Sequence, residues 1–186
     1  MPLLSGPFLA VASLLVVAGV MKVYRPRFTA GALRAARLPA TNGVVRLLGV
    51  VEVGVGAAAI VTGSPLWALA TGVFYVCFAL FVVYALRSGI PISSCGCFGS
   101  PDTPPSVGHV VLNAAAAVVA LAVAMSPVGS WVGLPGTDTG TAVAFLLFSA
   151  ASVYLLYAVV NVLPQRTGVN RETPVQLASA RRAAGE

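Results

Sequence analysis

Five long apolar runs separated by short polar stretches decide what this chain can fold into. They cover residues 3–23, 44–61, 66–86, 107–125 and 142–162, and together take 100 of the 186 residues. A helix needs about 20 apolar residues to cross the hydrocarbon core of a bilayer. Backbone polar groups find no water there, so each run must satisfy its own hydrogen bonds as a helix. Only 9% of the residues are charged, against about 25% in an ordinary soluble domain. That is too little polar surface for a soluble globule, and too much apolar surface for a disordered chain. The sequence therefore reads as an all-α membrane protein: a bundle of five transmembrane helices, with a four-helix core plus one, over residues 1–163. A polar tail follows at 164–186.

The charges support that reading. The net charge of +6 is spread between the apolar runs, where basic residues orient a membrane protein, and no basic cluster suggests nucleic acid. Six basic residues, Lys22, Arg25, Arg27, Arg34, Arg37 and Arg46, lie between and at the ends of the first two spans. Arg87 follows the third, and Arg166, Arg171, Arg181 and Arg182 lie in the tail, which accounts for all 11. The opposite side has none. The positive-inside rule then predicts a multi-pass plasma-membrane protein of bacterial type, N-terminus outside and C-terminus cytoplasmic. The first run has no basic residue ahead of it and no small-residue cleavage site after it, so it reads as a retained span rather than a signal peptide.

Candidate chemistry concentrates in one connection. Pro91-Ile-Ser-Ser-Cys95-Gly96-Cys97-Phe-Gly-Ser-Pro101 joins the third and fourth spans and holds two of the three cysteines. A Cys-x-Cys pair can close a disulfide only across a sharp turn, which Gly96 permits. So small a ring is strained and easily reduced, which suits a transfer disulfide. Ser106 reads as the N-cap of the fourth span and places the single histidine, His109, at the third helical position. The positive end of that helix would favour a nearby thiolate, and His109 could act as its base. Two alternatives remain at this point. Cys95, Cys97 and His109 also make a soft site for Cu(I), and as inert turn residues the cysteines would leave a structural assembly factor for another membrane subunit. Three cysteines rule out a disulfide-stapled scaffold and a four-cysteine zinc site.

Glu52, in the second span, is the other candidate. An ionisable residue within a membrane is costly and marks function by default. At 1.5 Å per residue it lies about 12 Å from the cytoplasmic end. Asn113 and Cys77 come out at comparable depth, so the sequence suggests a Glu52–Asn113 hydrogen bond, or a pair with Arg46 nearer the interface. Cys77 reads as a buried small hydrophobe. Tyr75, Tyr84, Trp67 and Trp131 read as interfacial aromatics. Gly49, Gly54, Gly56, Ala57 and Ala58, and likewise Ala114–Ala117, suggest small-residue faces for close helix packing.

Two stretches carry a family resemblance. The Cys95-Gly96-Cys97-Phe98-Gly99 loop after a third span resembles the MauE branch of the MauE/DoxX membrane proteins, as does Leu38-Pro39 … Arg46-Leu-Leu-Gly49-Val-Val-Glu52. The similarity runs over about residues 11–125 and leaves the fifth span and the tail unmatched. It implies a redox-associated bundle linked to methylamine utilisation. Such proteins support disulfide formation or maturation of methylamine dehydrogenase with a thioredoxin-like partner. By position, Cys95 and Cys97 would be the redox pair and Glu52 the intramembrane acid. The resulting expectation is a membrane thiol–disulfide oxidoreductase with a redox-active disulfide and a quinone as candidate electron acceptor. The resemblance puts its substrate outside the cell, whereas the basic residues put the loop on the cytoplasmic side.

Overall fold

The computed structural model describes residues 4–88 and 106–125. The Cys95/Cys97 loop, the run at 142–162 and the tail lie outside them. The described residues form five helices and no strands: α1 (Ser5–Tyr24), α2 (Pro26–Ala35), α3 (Asn42–Thr62), α4 (Pro65–Arg87) and α5 (Val107–Met125). All except α2 are long and apolar enough to cross a membrane. They match the first four apolar runs to within three residues at either end. Their outward faces are apolar, with Leu47, Leu66, Leu80, Val111 and Val118 all more than half exposed. A surface of this kind belongs in lipid.

Local chemistry sets the helix ends. Thr41 caps α3, its Oγ1 accepting from the Val44 N–H at 3.3 Å. Gly63, at φ 58°, closes α3 in the left-handed conformation that glycine adopts without strain, and Pro65 opens α4 two residues later. Pro26 likewise opens α2, directly after α1 ends. This short helix was not expected, because its apolar positions are too few for a span. It turns Thr29, Ala30 and Ala32 inward and leaves Arg27 and Arg34 exposed. Its end is a Schellman turn, with Arg37 at φ 60°, the Arg37 N–H on the Arg34 carbonyl, and the Leu38 N–H on the Leu33 carbonyl.

The four long helices alternate in direction, with α1 packed chiefly on α3 and α4 on α5. Two contact layers run across the bundle. One joins Phe8, Ala12, Ala59, Ala68, Ala120 and Val123; the next joins Leu15, Val55, Tyr75, Ala116 and Ala117. The C-terminal ends of α1 and α4 and the N-terminal ends of α3 and α5 thus share one end of the bundle.

The closest approach is between α1 and α3. A Cβ on Gly49 would stand 2.6 Å from the Gly19 carbonyl oxygen, and a Cβ on Gly19 would stand 2.6 Å from that of Gly49. Further along, a Cβ on Gly56 would meet Val16 Cγ2 at 2.7 Å and the Ala12 carbonyl at 2.9 Å. Lipid offers no hydrophobic contrast, so such close backbone packing is what holds two helices together. Only part of the small-residue stretch takes this role. Gly49 and Gly56 face α1, whereas Gly54 and Ala57 fall on the outer side of α3, and Ala114 and Ala115 on that of α5.

The crossing predicts an asymmetric response to mutation. Gly49→Ala should lower stability by about 1–3 kcal/mol through overpacking. Gly54→Ala, with nothing within 4 Å, should be neutral or stabilising by up to about 1 kcal/mol. Unfolding of the two variants in detergent micelles checks the difference.

Candidate functional site

The glycine crossing carries a charged pair. Lys22 stands three residues after Gly19, and Glu52 three after Gly49. The missing side chains leave room for them: a Cβ on Gly49 would lie 3.0 Å from Lys22 Cβ, and one on Gly19 would lie 2.9 Å from Glu52 Cβ. Helical side chains lean toward the N-terminus of their own helix. In antiparallel helices that aims Lys22 into the bundle and Glu52 back toward it. Lys22 Nζ donates to Glu52 Oε2 at 2.8 Å, with the two side chains only 4% and 0% exposed. The ammonium also stands 4.8 Å from the centre of the Phe78 ring, a cation–π contact from α4.

Two expectations for Glu52 are thereby corrected. Its partner is neither Asn113 nor Arg46. Asn113 Nδ2 instead donates to the carbonyl of His109, one turn back in its own helix, at 2.7 Å. Arg46 faces outward on α3. The pairing with Lys22 was missed because that residue counts equally well as an interfacial charge. Two signals distinguish it: Lys22 is the chain's single lysine beside ten arginines, and it repeats the Gly-x-x spacing of Glu52.

His109 is buried and lies where the sequence places it, at the third position of α5. Its Nδ1 is 2.8 Å from Ser106 Oγ. Ser106 therefore starts the helix with its carbonyl, which accepts from the His109 and Val110 N–H groups, while its hydroxyl holds the imidazole. A cavity of about 20 Å³ lies between α1, α4 and α5, walled by Leu14, Ala18, Phe78 and Leu112, with Lys22, His109 and Asn113 as polar lining. Tyr75 also borders it. This tyrosine is buried, not interfacial, because its hydroxyl reaches across to the Val11 carbonyl at 2.8 Å. Cys77 is likewise corrected. It is exposed on the outer face of α4, two residues from the inward Tyr75, which turns it about 200° round the helix.

The site is thus a string of polar groups in an apolar bundle. Ser106 and His109 stand at the start of α5, Lys22 in the last turn of α1, and Glu52 halfway along α3. Among the described residues no three His, Cys, Asp or Glu side chains converge on one point. Cys95 and Cys97 lie outside those residues. By connectivity their loop joins the end of α4 to the start of α5, the end where His109 and Lys22 lie.

A family model described as "Methylamine utilisation protein MauE" matches residues 2–127. The chain belongs to the MauE family. The match takes in the four long apolar helices of the described residues, α2, and the loop with Cys95 and Cys97. No curated protein and no solved structure gives a significant match. As a MauE-family chain with four long apolar helices among its described residues, the protein is a multi-pass membrane protein.

Removing one member of a buried ion pair leaves the other uncompensated. Glu52→Gln or Lys22→Met should therefore lower stability by about 3–5 kcal/mol. The double variant Lys22→Met/Glu52→Leu, with an apolar contact in place of the pair, should recover most of that loss. Chemical unfolding of the three variants in one detergent measures the coupling.

Proposed function

We propose that this MauE-family protein is a membrane thiol–disulfide oxidoreductase, using Cys95 and Cys97 to exchange electrons with a thioredoxin-like partner. The observation that carries the reading is the Cys95-Gly96-Cys97 pair inside the family match, in the connection between α4 and α5. Partner dithiol and the Cys95–Cys97 disulfide pass through a mixed disulfide to partner disulfide and the Cys95/Cys97 dithiol. Two electrons and two protons move to the loop. Reoxidation of the dithiol passes them to a quinone, which becomes the quinol.

The family's description supports a role in methylamine utilisation, and maturation of methylamine dehydrogenase is the specific task that this reading assigns. Homologous tasks for other thioredoxin-like partners use the same chemistry. Glu52 is the intramembrane acid of the reading. A Lys–Glu pair stabilises such a crossing no better than an apolar contact would, so its presence favours a functional role. The basic residues favour the N-terminus outside and the loop end facing the cytoplasm.

Three outcomes are expected. Cys95→Ser and Cys97→Ser should each abolish productive exchange, and the double variant should trap no mixed disulfide with a thioredoxin-like protein. Normal trapping by that double variant would overturn the reading. In a Cys77→Ser background, a membrane-impermeant maleimide should label the loop only after mild reduction, and inverted vesicles should label where right-side-out ones do not. Labelling without reduction that Cu(I) blocks would move the assignment to a Cys95, Cys97 and His109 metal site. The Lys22→Met/Glu52→Leu variant should fold yet lose turnover, which separates the function of the pair from its structural part.

A further inference from the structure

We infer that the cavity beside Lys22 is a water site, and that Ser106, His109, this water, Lys22 and Glu52 form a proton relay. It runs from the end of the bundle where α5 begins to the middle of α3. The volume of about 20 Å³ suits a single water, which needs about 10–15 Å³ and two to four polar partners. Besides Tyr75, whose hydroxyl donates to the Val11 carbonyl, three polar side chains line the space, and each has a group to offer. Ser106 holds His109 Nδ1, so Nε2 is the ring nitrogen left for the cavity. Asn113 uses its amide N–H₂ on the His109 carbonyl, which leaves Oδ1 as an acceptor. Lys22 gives one of its three protons to Glu52 and has others to give.

The second observation is at the far end. Glu52 Oε1 is fully buried and has no hydrogen-bond partner among the described residues, a condition it shares only with Thr71 Oγ1. A buried carboxylate with one oxygen unpartnered is incompletely stabilised as an anion, so it is the group that takes the arriving proton, on Oε2 where Lys22 donates. The step balances without electrons. Lys22 first gives a proton to Glu52 Oε2 along their hydrogen bond. The water then reprotonates the amine, His109 gives its Nε2 proton to the water, and Ser106 delivers a replacement proton to Nδ1. The net change is one proton taken up and one carboxylate converted to a carboxylic acid, with Lys22 charged before and after. The ionisable groups around the route are Lys22 on α1, Glu52 on α3, Tyr75 on α4 and His109 on α5. Arg25, Arg27, Arg34, Arg46 and Arg87 are all exposed.

The relay does not depend on thiol chemistry, so its test uses the full chain in a Cys95→Ser/Cys97→Ser background in lipid nanodiscs. The chain holds one histidine, so ¹⁵N-histidine labelling gives a single imidazole. Its Nε2 should show magnetisation transfer with water; a dry imidazole would overturn the inference. A pH-jump infrared measurement then follows the protonated carboxyl band that disappears in Glu52→Gln. In His109→Phe the rise of this band should slow by about tenfold or more while its final amplitude stays. Asn113→Leu, which removes a water partner and keeps the imidazole, should slow it too and serves if His109→Phe fails to fold. A rate unchanged in the folded variants, or no band that depends on Glu52, would overturn the relay.

Discussion

A charge inside a hydrocarbon layer is tolerated only where something neutralises it at short range, and in this protein the Lys22–Glu52 contact of 2.8 Å does so. The contact requires α1 and α3 to approach until glycine meets glycine, because any side chain at residues 19 or 49 would occupy the space the two stems need. The crossing in turn sets the relative register of α1 and α3, and with it the layers in which Phe8 and Leu15 meet α4 and α5. Pair and crossing are one device. The glycines make the helices close, and the closeness lets two buried charges find each other.

The same device organises polarity along the bundle. Lys22 touches Glu52 on α3, stands over Phe78 of α4, and borders a cavity shared with His109 and Asn113 of α5. One side chain from the last turn of α1 therefore contacts or faces every other long helix. The aromatic contacts behind it are ordered, with Phe78 edge-to-face on Tyr75 at 84°. Tyr75 bonds back to α1 through the Val11 carbonyl. The polar groups face inward at one end, and the other end is built from alanine, valine and phenylalanine layers. The thiol chemistry proposed for the protein would move protons with its electrons, and the polar groups are gathered at the end of the bundle where the α4–α5 connection begins and ends.

Much of the fold was legible because lipid imposes a simple rule on sequence. Runs long enough to span had to be helices, and α5 matches its run to the residue. Ser106 and His109 at the start of α5 could also be read, since capping depends on local sequence. The pairing of Glu52 could not. Depth along a span says how far two residues lie from the interface, but it says nothing of which helix faces which. Asn113 lies at comparable depth and Arg46 on the same helix, yet the α1–α3 crossing brings Lys22 to Glu52. Cys77 and Tyr75 were misassigned for the same reason: α4 is apolar all round, so its inward face carries no compositional mark. The short α2 escaped notice because a ten-residue amphipathic helix is hidden among long apolar runs. The MauE resemblance was visible in the Cys-Gly-Cys loop and the run leading to Glu52, and the family match extends it across residues 2–127.

The central claim, that Lys22 and Glu52 form a buried pair at the α1–α3 crossing, can be measured without any variant. The chain contains one lysine and three glutamates, so protein labelled with ¹⁵N at lysine Nζ and ¹³C at glutamate Cδ gives one nitrogen and few carbons to resolve. Dipolar recoupling in lipid bilayers reads the distance between them. The 2.8 Å Nζ–Oε2 contact predicts a lysine–carboxyl separation below about 4 Å, the reach of a direct charge-assisted hydrogen bond. A lysine nitrogen with no glutamate carboxyl carbon within about 6 Å, well beyond such a bond, would contradict the account.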